Sequence, residues 1–182
     1  MRRLLVWRGL EEWLAEAAEV RLEGDRLEAR GTQLGAEPHA YRADYELTTT
    51  AGWVTERLRV EVRDRDGERR LDLRRGADGG WSANGHARPE LEGALDCDLA
   101  FSPLTNTMPT LRERLRDGEG PVDLETAWVA LPGLEIHCSA QRYEPVDGRT
   151  VRYVSRDSDF RAELELDEDG LVLRYPRLAE RI

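Results

Sequence analysis

The stretch Asp96-Cys97-Asp98-Leu99-Ala100-Phe101-Ser102-Pro103-Leu104-Thr105-Asn106-Thr107-Met108-Pro109 decides how the chain is read. Its first six residues alternate with the period of a strand: Asp96, Asp98 and Ala100 on one side, Cys97, Leu99 and Phe101 on the other. The strand runs into a polar turn bracketed by Pro103 and Pro109, each of which fixes φ and removes a backbone donor. Thr105, Asn106 and Thr107 supply side-chain hydrogen bonds to that turn, and Thr107 is placed to cap a helix over 108–116. In that helix Leu111 and Leu115 share a face, Pro109 sits in the first turn and Gly118 lies just past the end.

Outward from this segment the period-two pattern recurs. Tyr41, Ala43, Tyr45 and Leu47 form one apolar row, and Leu58, Val60 and Val62 another, with Arg57, Arg59, Glu61 and Arg63 opposite. Leu134, Ile136 and Cys138 repeat it, as do Phe160, Ala162, Leu164 and Leu166. Asp66-Gly67, Asn84-Gly85, Asp147-Gly148 and Asp169-Gly170 separate the runs and readily supply the positive φ of hairpin turns. The expectation is a mostly β chain of many short antiparallel strands that curls into a barrel, roll or sandwich. The charged rows read as a solvated outer face. A second helix is open over 10–18, where Leu10, Trp13, Leu14 and Ala17 fall on one helical face. No repeat or linker divides the 182 residues, so one domain over 1–182 is expected.

Composition excludes several classes. Hydrophobic residues make up 40% of the chain and five residues are tryptophan, which rules out a disordered chain. A net charge of −10 disfavours nucleic acid and anionic membranes, which need basic surfaces. All 27 basic residues are arginine. The apolar run near Met1 is cut by Arg8, Glu11 and Glu12 before it reaches the length of a signal core, and no window is long enough to span a bilayer. The expected location is the cytoplasm. Cys97 and Cys138 are read as reduced, small hydrophobes.

One set of ordered motifs carries a family resemblance. It comprises Trp81 with Asn84-Gly85, Pro89, Leu91 and Gly93, the 96–109 stretch, Gln141-Arg142-Tyr143, and Leu166-Asp167 with Gly170 to Pro176. With these the chain resembles the bacterial putative glycolipid-binding family, a former domain of unknown function. The resemblance implies a spiral β-roll, an antiparallel sheet wrapped around one short helix. That fold is similar to bacterial lipoprotein carriers, which hold acyl chains inside a half-barrel. It implies a lipid or glycolipid-like amphiphile as partner, held in the interior of the roll without catalysis. It carries over no catalytic residue and no cofactor.

The candidate ligand-binding residues are Trp81, Asp96, Asp98, Thr105, Asn106, Thr107, Arg142, Tyr143 and Tyr175. Asp96 and Asp98 share a strand face, so they could act as acid and base, hold a metal, or simply anchor the turn and pair with arginine. Thr105 to Thr107 could meet a sugar at a cavity mouth or serve the turn alone. The aromatics, Trp53, Trp128 and Tyr153 included, could stack on a sugar or fill the core. Arg142 could hold an anion or an internal carboxylate, with Asp96 or Asp98 as partners. His86, His137 and Cys138 match no metal spacing. His137 and Cys138, as strand neighbours, point to opposite faces and cannot form a nucleophile and base. Two rival functions stay open. One is an enzyme acting on a small sugar- or lipid-like substrate through the paired aspartates and Arg142. The other is a module that forms a homodimer through sheet edges or an apolar patch.

Overall fold

The structure, a computed structural model, describes residues 1–182. Eight strands form its first half: β1 (Arg2–Gly9), β2 (Leu14–Glu23), β3 (Arg26–Gly35), β4 (Tyr41–Thr49), β5 (Thr55–Asp64), β6 (Gly67–Arg75), β7 (Trp81–Ala83) and β8 (His86–Ala87). Then come β9 (Asp96–Leu99), the helix α1 (Thr107–Arg112), β10 (Val122–Val129), β11 (Ile136–Pro145), β12 (Thr150–Ser155), β13 (Arg161–Leu166), β14 (Val172–Tyr175) and β15 (Ala179–Arg181). All strands belong to one sheet, ordered β8-β7-β6-β5-β4-β3-β2-β1-β15-β14-β13-β12-β11-β10-β9. The chain winds outward from β1 to one edge, crosses over at 89–95 to the far edge, and returns by hairpins until β15 lies beside β1. Only β9 and β10 run parallel, because the crossover delivers β9 in the direction β10 will take.

The sheet curls without closing into a barrel. Its β9 edge comes back to the start of β5, where the Thr55 amide donates to the Leu95 carbonyl at 3.0 Å and the Cys97 amide to Thr55 Oγ1 at 2.9 Å. Inward rows supply the core: Leu5 and Trp7 from β1, Ala18 and Val20 from β2, Leu47, Leu58, Val60 and Val62 from β4 and β5. The outer rows pair across strands, as in Arg57 with Asp72 and Arg70 with Glu61. Pairs of this kind on the outer face contribute little to stability, because solvent screens them. No helix is long and apolar enough to cross a membrane.

The turn and helix that follow β9 fill the roll. Leu104, Met108 and Leu115 are fully buried there. The helix is shorter than the 108–116 expected. It ends at Arg112, Arg114 takes a left-handed conformation with φ 49°, and one further turn spans Leu115–Asp117 before Gly118. Residues 10–18 form no helix. The β2 ladder is complete against both β1 and β3, and sheet pairing on two sides overrides the helical face drawn from sequence.

Thr107 is not a cap. A 3-10 turn over Pro103–Asn106 starts the helical path earlier, so the Thr107 amide already donates to the Leu104 carbonyl and its backbone is helical. Its hydroxyl is buried without a hydrogen-bond partner. An unpaired buried hydroxyl is destabilising, so Thr107→Val is expected to gain about 1 kcal/mol in urea unfolding. A loss of that size would mean that the hydroxyl does serve the helix.

Candidate functional site

The segment 96–110 joins two buried polar clusters, one on each side of it. The first contains most of the residues expected from sequence. Asp96 accepts two bonds from Arg112, at 2.6 and 2.7 Å, in a bidentate pair. Asp98 accepts from Thr105 Oγ1 at 2.8 Å and from Gln141 Nε2 at 2.7 Å. Tyr143 donates to Asn106 Oδ1 at 2.9 Å. Burial pushes both aspartate carboxyls above their ordinary range, opposed by Arg112 at Asp96 and by the Thr105 and Gln141 bonds at Asp98. Tyr143 continues into an aromatic chain. Its ring lies 5.5 Å from Tyr153, which lies 6.0 Å from both Tyr175 and Phe160.

Two expected residues stand apart. Arg142 is next to Tyr143 on β11, and strand alternation turns it to the outer face, where it pairs with Asp123 and Glu144 at 2.8 Å each. It cannot join Asp96 and Asp98, so the paired-aspartate enzyme with Arg142 lacks its third group. Trp81 is a core residue at the other edge of the sheet, its indole N–H donating to the Ala94 carbonyl at 3.0 Å and pinning the crossover. Thr107 follows Asn106 at the start of α1 and offers its hydroxyl to no partner.

The second cluster escaped the sequence reading. Glu16 of β2 is buried, and its Oε1 accepts from Tyr45 and, at 2.7 Å, from Ser102 Oγ. Tyr41 donates to Gln33 Oε1 at 2.9 Å, and Gln33 Nε2 donates to the Ala100 carbonyl at 3.2 Å. Two glycines make this possible. Gly31 pairs with Tyr45 and Gly35 with Tyr41 across β3 and β4. A Cβ on either glycine would meet the facing ring at 2.3 Å, so both rings lie over bare backbone and carry their hydroxyls across β3. The signal was present in the sequence as Gly31 and Gly35, four apart, followed by Tyr41 and Tyr45, four apart. Glu16 was visible as a charge in the inward row of Leu14, Ala18 and Val20.

Burial raises the Glu16 carboxyl from 4.5 to about 7, against the lowering effect of the Tyr45 and Ser102 bonds and of nearby Gln33. Between those two values the folded protein keeps a proton that the unfolded chain releases, so stability falls as pH rises and the loss is complete above the upper value. The loss across that window is about 3 kcal/mol. Glu16→Gln has no such titration. Its stability relative to wild type should therefore rise between acidic and mildly alkaline urea titrations, and a pH-independent difference would refute the assignment.

Each cluster connects to an apolar cleft at one rim of the roll through one residue: Ser102 of the second follows Phe101 in the chain, and the aromatic chain of the first ends on Phe160. The cleft, about 150 Å³, is lined by Leu14, Phe101, Phe160 and Leu178, with Glu11, Glu12 and Arg177 at its edge. Phe101 adopts φ 64°, unusual for a bulky residue. It is held there because both neighbours are fixed: the Ala100 amide donates to the Val129 carbonyl and Ser102 is bonded to Glu16. Its ring is thereby turned out to the cleft and is 36% exposed. The Arg177 guanidinium lies 5.8 Å from the Phe160 ring centre and bonds Glu11 at 3.2 Å. The larger grooves, about 840, 830 and 770 Å³, lie over the ion-paired outer face of β1 to β7. A three-ligand grouping of His39, Asp64 and Asp66 exists at the β5–β6 turn, but Arg69 already occupies both oxygens of Asp64.

Comparison with known proteins adds three findings. The family model described as "Putative glycolipid-binding" matches residues 4–181. A crystal structure of a DUF1089 family protein from Pseudomonas aeruginosa is similar, with 32% sequence identity and a TM-score of 0.80, over 97% of this chain and 95% of that one. None of the curated proteins compared matches the chain.

Proposed function

The chain belongs to the "Putative glycolipid-binding" family, and from that premise we propose that it binds a lipid or glycolipid-like amphiphile through the rim cleft. The apolar chain enters between Leu14, Phe101, Phe160 and Leu178, toward the roll interior beneath Phe101. The polar end meets the charged edge at Glu11, Glu12 and Arg177. One observation carries this reading. A small apolar cleft is lined by Phe101, an aromatic residue held in a strained backbone conformation whose chain neighbour Ser102 is bonded to the buried Glu16. Strain of this sort is retained where the surroundings fix it and concentrates at functional sites. Fold similarity alone would be a weaker warrant.

The test is native mass spectrometry of the purified protein for a co-purified amphiphile, followed by thermal unfolding with octyl glucoside. Ligand at a hundredfold excess over its Kd stabilises by about 2.7 kcal/mol, a readily measured shift. Leu178→Arg should leave the fold intact by circular dichroism and weaken binding about tenfold or more, by placing a charge in the apolar wall. Unaltered binding by that variant, or no amphiphile and no shift with wild type, would remove the rim cleft as the site.

A further inference from the structure

We propose that the outer face of β15, β1, β2 and β3 is the surface through which two copies of this chain associate. Strand register builds that surface. Ile182, Val6, Ala17 and Thr32 fall in one line across the sheet: the Ile182 amide donates to the Val6 carbonyl at 2.9 Å, Val6 pairs with Ala17, and Ala17 pairs with Thr32. Leu4 lies two residues along β1 on one side of this line, and Ala15 pairs with Leu34 on the other. The period of two puts these side chains on the face opposite Leu5, Trp7, Glu16 and Ala18, all of which are buried. Leu4 is 67% exposed and Ile182 77%, so a large apolar surface stands in water on a face that β4 to β6 otherwise fill with ion pairs. Removing it from water is favourable.

Shape, charge and size all point to a second copy as the occupant. The face sets a ridge beside a trough. Leu4, Val6 and Ile182 are large, Ala15 and Ala17 beside them are small, and Leu4, Ala17, Gly31 and Thr32 line one groove of about 840 Å³. A two-fold axis can place the Leu4 ridge of each copy in the groove of the other, the self-complementary contact of an isologous dimer. The border is balanced in charge. Arg2 pairs with Glu19, Arg8 with Glu180, Arg30 with Glu46 and Arg42 with Asp44. A face bearing both signs in equal number can meet opposite charges on its own copy, whereas a strongly basic or strongly acidic partner is repelled by half of the border. The apolar area projects to roughly 300 Å², and with its ion-paired border out to β5 the face reaches roughly 800 Å², about what each partner of a stable complex buries.

The experiment is sedimentation velocity of the full chain from about 1 to about 100 µM, on wild type, Leu4→Glu, Ala17→Arg and, as a control away from this face, Val146→Glu. Wild type and Val146→Glu should be dimeric at the upper end of that range. Leu4→Glu puts a charge on the ridge and Ala17→Arg puts one in the trough, and each should raise the dimer Kd about tenfold or more. All three positions are exposed, so circular dichroism should show an intact fold. Hydroxyl-radical footprinting of wild type needs no variant: Leu4 and Leu34 should be protected at the highest concentration and reactive at the lowest. Wild type that stays monomeric throughout overturns the proposal, as does a dimer that both variants leave unchanged or in which Leu4 stays reactive. A monomer that instead sediments with phosphatidylcholine vesicles, and loses that binding in Leu4→Glu, overturns it too and assigns the face to a lipid surface.

Discussion

Arg112→Met is expected to destabilise the protein by about 3–5 kcal/mol, because it strands the Asp96 carboxylate in the core. Asp96 has a side chain only 2% exposed and both of its oxygens accept from Arg112, whose own side chain is 12% exposed. Burial already pushes the Asp96 carboxyl above its ordinary range, so nothing besides the guanidinium compensates its charge to the same degree. Asp96→Leu should cost a similar amount by stranding Arg112, although Glu113, bonded to Arg112 Nε at 2.7 Å, softens that loss. The double variant Asp96→Leu/Arg112→Met should recover most of the deficit, since an apolar pair of similar volume replaces an ion pair whose desolvation is expensive. Urea unfolding of the four proteins measures this. If the double variant lost the sum of the single losses, the pair would not be acting as a unit.

Gly31→Ala is expected to cost about 4 kcal/mol, a large penalty for one methyl group. Its Cβ would stand 2.3 Å from the Tyr45 ring, which is itself packed in the core and cannot give way cheaply. Overpacking of this kind costs about 1–3 kcal/mol. Displacing the ring also removes the Tyr45 bond to Glu16, and depriving a buried carboxyl of a donor adds about 1–3 kcal/mol. Tyr45→Leu removes the ring, so Gly31→Ala in that background should cost far less than in wild type. Chemical unfolding of the single and double variants reads the difference directly. Additive losses would show that the ring does not lie over Gly31.

Much of the first cluster was legible because local pattern and turn chemistry determine it. Asp96 and Asp98 share a face because strand side chains alternate, and Thr105 and Asn106 serve the turn because short polar side chains reach nearby groups. Which arginine would meet Asp96 was not legible. The sequence pointed to Arg142, but alternation on β11 turns that residue outward and α1 brings Arg112 to Asp96 instead. The Thr107 cap failed for a related reason. The 3-10 turn begun at Pro103 moves the helical start forward, an effect of how the segment packs inside the roll.

By itself the sequence determined a mostly β chain of short antiparallel strands with one short helix and a charged outer face; the roll wrapped around that helix came from the family resemblance. The strands, the helix and the charged face follow from periodicity, turn residues and local hydrogen bonding, which act over a few residues. Only the tertiary structure decided that β15 returns to β1, that residues 14–18 pair as strand, and that Glu16 meets Ser102, 86 residues away. The Gly31 and Tyr45 pair lies between these cases. Both residues were visible, but their meaning depended on the register of β3 against β4. Contacts of this second kind are fixed by the curl of the whole sheet, and no window of sequence contains it.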